Sequence, residues 1–241
     1  MPFSPEFLYA LAAVFIAGVL RGFSGFGVGM VLVPILSLLY SPLVAVITVV
    51  LLEMIPAIQL VPGALHQAHW RSVIPMAAGG VLFVPLGALL LVTVDAHSMR
   101  IAIALLLMLS VLILASGWRY RGVDNINAPT MTGVASGLIS GAASLGGLPV
   151  ILYYLSGKHS SQVARASIVV FLFITAIVSL LTFLIHGIIS KEIVLRAACL
   201  VPIFMLALWL GGKLFGRVSE SLFRTITLTL LGGVGVMMLL S

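Results

Sequence analysis

Two ionisable side chains stand inside stretches of sequence that are otherwise apolar, and each needs a partner there. Arg21 separates apolar residues 7–20 from 26–40, and Glu53 is the one acid deep in a long apolar segment, 42–61. An uncompensated cation at that depth costs roughly 2.5–3.5 kcal/mol on insertion scales. Arg21 therefore suits an anion or a buried acid, unless it snorkels to an interface a few residues away. Glu53 offers a carboxyl that can take up a proton or pair with Arg21 or Arg165; as a hydrogen-bonded structural acid it would do neither. Glycine supplies the third element. The pattern Gly18-x-x-x-Gly22-x-x-x-x-Gly27 recurs with a constant shift of 119 as Gly137-x-x-x-Gly141-x-x-x-x-Gly146, and the same shift carries Val31 onto Val150 and Leu36 onto Leu155. Gly-interrupted apolar segments at matching places of two halves mark ligand sites in membrane proteins built from repeats.

The chemistry expected at such breaks is anion binding. The returning helices should begin near Gly25 to Gly29 and Leu145 to Pro149, and helix N-termini present unpaired N–H groups with a partial positive charge. Gly25, Gly27, Gly29, Gly146 and Gly147 let a ligand approach the backbone, Ser24 and Ser144 add hydroxyls, and Pro149 loses nothing by lacking a donor in a first turn. The competing reading is that these glycines only let helices pack closely, and for Gly18 and Gly22 alone it is the preferred one. Arg165 opens the segment 161–186 beside Ser160, Ser161 and Gln162; it would either face a vestibule or mark a cytoplasmic loop.

Other chemistries fit less well. "GFSG" at Gly22–Gly25 has the G-x-S-G form of an intramembrane serine protease, but the second copy reads "GAAS" and the only histidine well beyond the second break, His186, lies near a segment end, so no enzyme is expected. His66, His69 and His186 lack accompanying acids or thiols, so no metal is expected. Trp70 reads as a headgroup anchor. Cys199 is a lone thiol with no metal-ligand spacing. No cofactor motif appears, and no basic run with interleaved aromatics, so neither a cofactor nor nucleic acid is expected as a partner.

The elements that must position these residues follow from composition. Of 241 residues 62% are hydrophobic and 7% charged, and mean hydropathy is +1.30, which requires most of the surface to face lipid. Apolar segments run 7–20, 26–40, 42–61, 73–94, 98–117, 129–143, 147–156, 161–186, 192–213 and 220–240. Six have about the 20 residues that a helical span needs; the four that flank the glycine breaks read as too short and fit as paired half-helices or short spans. A second shift, of 124, relates Leu86, Gly87, Leu90, Val94 and Arg100 to Leu210, Gly211, Leu214, Val218 and Arg224.

The resulting expectation is an all-α, polytopic membrane protein, a single domain over 1–241. It divides into repeat one at 5–118, a linker at 119–128 and repeat two at 129–241, each repeat holding one Gly-interrupted short-helix pair and three full spans. If each break turns the chain back, Arg71, Arg119, Arg121, Lys158, Arg165, Lys213, Arg217 and Arg224 collect on one face, leaving Arg100, Lys191 and Arg196 on the other. The positive-inside rule then favours turn-back, inverted repeats and both termini outside the cytoplasm. Met1 to Glu6 lacks the basic region of a cleaved signal, so the first helix is expected to be retained.

"GFSGFGVGMVLVPIL" from Gly22 to Leu36, "SGLISGAASLGGLPVIL" from Ser136 to Leu152, and the duplication across almost the whole chain resemble the sulfite exporter TauE/SafE family. Its usual run of three glycines reads Gly27-Val28-Gly29 in the first half here and Gly146-Gly147-Leu148 in the second. The resemblance implies a multi-pass permease of the plasma membrane for a small organic or sulfur-containing anion such as sulfite or a sulfonate, proton-linked; by its position deep in a span, Glu53 is the residue expected to carry the proton. A passive anion or small-solute channel is the alternative. Homo-oligomerisation is compatible with the sequence, which does not specify it.

Overall fold

A computed structural model describes residues 5–24, 27–116, 127–156, 160–214 and 220–240. The described residues form ten helices and no strands: α1 Pro5–Ser24, α2 Val28–Leu39, α3 Pro42–Leu65, α4 Trp70–Thr93, α5 Ala96–Ser116, α6 Asn127–Ala143, α7 Gly147–Ser156, α8 Ser161–Ile185, α9 Lys191–Leu214 and α10 Glu220–Leu239. In lipid a backbone must satisfy its own polar groups, and sequence rich in Leu, Ala, Val and Ile does so as helix. Side chains cap several helix starts: Ser41 accepts from Val44 N–H at α3, Asp95 from Ser98 at α5, Ser160 from Val163 at α8 and Ser190 from Ile193 at α9.

Six helices, α1, α3, α4, α5, α8 and α9, are long and apolar enough to cross a membrane. Large apolar side chains such as Leu82, Leu112 and Leu195 stand exposed on them, as lipid-facing residues do. Five of the six are the expected ones. The sixth is a correction: segment 7–20, read as too short, lies in a helix that begins at Pro5 and runs on through Arg21 and Gly22. The described apolar run of α10 is shorter, Thr227–Leu239.

The chain forms two compact units. Unit one holds α1, α2, α3 as far as Leu52, α5, α9 and α10. Unit two holds α3 from Glu53, α4, α6, α7 and α8. Neither unit coincides with one half of the sequence, because the closest helix pairs join opposite halves: α1 lies along α9 in unit one, and α4 along α6 in unit two.

Glycine makes both pairs close. Cβ atoms at Gly22 and Gly211 would each stand 3.0 Å from the other's Cα, and one at Gly87 would stand 3.0 Å from Cα of Gly141. One at Gly18 would lie 2.6 Å from Ala207 Cβ, and one at Gly137 2.6 Å from the Gly80 carbonyl oxygen. Within a membrane, where lipid is as apolar as leucine, such backbone approach is what associates helices. The sequence shifts map these contacts onto each other: Gly22 corresponds to Gly141, and Gly211 to Gly87. Gly18, Gly22, Gly137 and Gly141 are thus helix-packing residues, and the chain breaks only after them.

Candidate functional site

The first break belongs to unit one. α1 carries Arg21 in its last turn, 93% shielded from solvent (7% exposed), at the helix end that favours a cation. Ser24 is the final residue of α1, and Gly25 lies outside the described residues. Gly27 then occupies the N-cap of α2 with φ of 96°, in the left-handed region that favours glycine. No side chain caps α2, and a Cβ at Gly27 would meet nothing within 4 Å. Gly29 is buried in the first turn. Among the described residues, then, the start of α2 is a buried first turn that Gly27 cannot cap with a side chain, with space around the Gly27 Cβ position, six positions along the chain from the buried Arg21.

The other end of α2 is closed by cations. Arg100 Nε donates to the Ser37 carbonyl at 3.1 Å, and the Arg196 guanidinium lies 3.9 Å from the ring centre of Tyr40. Burial pushes the Tyr40 phenol above its ordinary value; Arg196 pulls it back and Glu6 pushes it further up. Positive groups at the C-terminal end match the helix dipole.

The second break belongs to unit two and is built differently. α6 ends at Ala143; Ser144 has φ of 53°, and its N–H donates to Ser140 at 2.9 Å. The Ser136 hydroxyl donates to the Gly146 carbonyl in a short hydrogen bond. Ser136 is fully buried and Ser140 nearly so, and a Cβ at Gly146 would collide with the Ser140 hydroxyl and the Ser136 carbonyl. Gly147 begins α7, with Ile151 and Leu172 at 3.9 Å from where its Cβ would stand, and Pro149 sits in the first turn. Of the remaining expected residues, Arg165 is exposed on α8, and Glu53 is half-buried in α3, where its portion of unit two begins.

Gly27 and Gly29 thus lie at the start of α2 with Arg21 in the last turn of α1 before it, and Gly146, Gly147 and Pro149 lie at the start of α7 with Ser144 just ahead of them. Sequence reasoning passed over Ser136 and Ser140. Their spacing of four puts them on one helix face, but nothing local announced that this face meets Gly146. It also passed over a buried polar chain of His69, Ser72, Tyr154 and Ser167 in unit two. Among the described residues no group of three His, Cys, Asp or Glu is placed to hold a metal.

Helices of membrane-spanning length, apolar exposed faces and short helices that begin at glycine breaks define a multi-pass helical membrane protein. The chain matches the sulfite exporter TauE/SafE family over residues 10–238 and belongs to it; the family is one of membrane transporters. It is 26% identical over 231 residues to a probable sulfite/organosulfonate exporter TauE of Cupriavidus necator, covering 90% of this chain and 87% of the relative. No solved structure matches it significantly.

Proposed function

We propose that this protein is a secondary transporter of a small sulfur oxyanion, sulfite or an organosulfonate, in the plasma membrane. The observation that carries the reading is the start of α2, which has no side-chain cap and leaves space at Gly27 among the described residues, six positions along the chain from the buried Arg21. A helix N-terminus of this kind favours an anion, and an oxyanion offers several acceptors. Arg21, Ser24, Gly25, Gly27 and Gly29 form the anion site, and Ser144, Gly146, Gly147 and Pro149 form its counterpart at α7. Arg165 offers a cation at the edge of unit two. Glu53 carries the proton that drives accumulation. The relative's printed substrates support the class of anion.

The equivalent glycine contacts of the two helix pairs support an internal duplication, and the basic-residue asymmetry supports inversion of the second repeat, with both termini outside. Liposomes test the reading. Sulfite counterflow should saturate and respond to an imposed pH gradient. Arg21→Gln should weaken sulfite binding about 10- to 100-fold, the loss of one charge-assisted hydrogen bond of about 1.5–3 kcal/mol. Glu53→Gln should leave counterflow nearly intact and abolish accumulation against a gradient. Flux that never saturates and ignores pH, with Glu53→Gln identical to wild type, would leave a passive channel in its place.

A further inference from the structure

α7 is only ten residues long. A helix of that length is marginal alone, so its position depends on what grips it. One grip is apolar: Val150 and Tyr154 cluster with Met76 of α4 and Phe171 of α8. The other is polar and sits about two turns beyond the glycine break. Tyr154 is 2% exposed, and its hydroxyl lies 2.7 Å from Ser72 Oγ. Ser72 is 3% exposed and donates to the His69 carbonyl at 3.0 Å; His69 Nδ1 stands 2.9 Å from the same hydroxyl. The His69 backbone N–H donates to Ser167 Oγ at 2.9 Å, and Ser167 donates onward to the Val163 carbonyl at 2.8 Å.

The Ser72 hydroxyl thus meets three groups, the His69 carbonyl, His69 Nδ1 and the Tyr154 hydroxyl, and either hydroxyl can be the donor between Ser72 and Tyr154. Elsewhere Ser110, Thr132 and Thr182 turn their hydroxyls onto carbonyls of their own helices. Tyr154 instead ties α7 to α4 through Ser72 and to α8 through a side-chain hydrogen bond with Ser167, which also accepts from the His69 N–H. In a buried setting each of these groups would be costly if left unpaired, so the arrangement holds one register of α7 against the others.

The geometry points to Tyr154 as a positioning residue for the second glycine break: through Ser72 it fixes the axial register of α7, and with it Gly146 and Gly147. Seven residues of helix separate Tyr154 from Gly147, about 10 Å of rigid rod, so a slip at the phenol is delivered to the break undiminished. The inference rests on the reading above that the start of α7 takes part in anion transport.

The test uses the full chain in liposomes and four variants, Tyr154→Phe, Ser72→Ala, the double variant and Ser72→Thr. Tyr154→Phe keeps the ring in its apolar cluster, and a thermal melt verifies folding. Amide hydrogen exchange of residues 148–154 should quicken about tenfold in Tyr154→Phe and in Ser72→Ala, the equivalent of about one buried hydrogen bond, while exchange of α8 around Phe171 stays unchanged. The KM for sulfite should rise by a similar factor with little change in maximal rate. The double variant should fall short of the sum of the two single effects, because both remove the Tyr154–Ser72 bond although each also loses bonds of its own, Tyr154 to Ser167 and Ser72 to His69, and Ser72→Thr should restore wild-type values. Unchanged α7 exchange, additive effects, or faster exchange with an unaltered KM would each overturn the assignment. If wild type itself shows no saturable flux of sulfite or a sulfonate, the substrate reading falls; the exchange pattern and its non-additivity then decide the register role alone.

Discussion

A side chain placed at Gly27 would meet empty space, whereas one placed at Gly146 would run into the Ser140 hydroxyl and the Ser136 carbonyl. The two positions are equivalent under the 119-residue shift, but the residues around them are not the same. Arg21 in the first half corresponds to Ser140 in the second, and Ala17 to Ser136. Where the first half has a cation and a methyl, the second has two hydroxyls, and those hydroxyls fill the break and bind its backbone. The helix pairs that carry the breaks have kept the same glycine-to-glycine contacts in both halves. Duplication has preserved the scaffold and let the two helix starts diverge, one with room at its N-cap glycine and the other filled by hydroxyls.

Leucine at the two glycines should show the largest contrast. Gly146→Leu should fail to yield folded protein, because its side chain has to displace Ser140 and backbone of α6. Gly27→Leu should still insert and fold, with a backbone cost of about 1–2 kcal/mol for its left-handed φ, yet lose transport. Gly232→Leu is the control, since nothing lies within 4 Å of a Cβ there, and both its yield and its transport should match wild type. Size-exclusion profiles and sulfite flux measure the two quantities. Equal loss of folded protein at Gly27 and Gly146 would erase the difference between the breaks.

Much of this contrast was hidden in the sequence although the elements were not. Apolar runs bounded by glycine, proline and charge located all ten helices to within a few residues, because lipid leaves the backbone little choice but helix. The breaks themselves were legible at Gly27 and Gly146. What failed was the extent of the first one. Gly18 and Gly22 look the same whether they end a helix or pack it, and the residues that decide, Ala207 and Gly211, lie almost two hundred positions away. The same distance problem concealed the hold on α7: Ser72 and Tyr154 are ordinary members of apolar stretches until the fold brings their hydroxyls to 2.7 Å. Arg21 was legible as a buried charge, but its place at the end of α1 depended on that helix continuing through Gly22.

A finer test separates charge from size at the open break. Asn and Asp tolerate the left-handed region better than other non-glycine residues, so Gly27→Asn and Gly27→Asp should both fold. The Asp variant places a carboxylate at the N-cap of α2, where it can accept from first-turn N–H groups, and so competes with the substrate from within. Its sulfite affinity should fall at least tenfold below that of Gly27→Asn, a difference of about 1.4 kcal/mol, within the range for a hydrogen bond to a charged group. Isothermal titration with sulfite reads this directly. Equal affinities in the two variants would mean that the start of α2 does not select for negative charge.

The smallest effect is expected at α5, where the protein has already filled a helix start with its own anion. Asp95 Oδ1 accepts from the N–H groups of Ser98 at 2.9 Å and His97 at 3.1 Å. The Ser98 backbone bond is the chief reason that the carboxyl is held below its usual value of 3.8. A folded-state pKa below the unfolded one means that the stabilisation is present above the unfolded value and is lost as pH falls through the folded value. Asp95→Ala should therefore lower the melting temperature slightly at pH 7, and the gap to wild type should close on acidification below about pH 4. Asp95→Ala should also keep the full rise in melting temperature that saturating sulfite gives the wild type, because α2 is untouched. Gly27→Asp should show little of that rise, having supplied at α2 what Asp95 supplies at α5. If sulfite stabilises Gly27→Asp as much as wild type, the anion binds elsewhere, and the open start of α2 is not the feature that distinguishes the first break from the second.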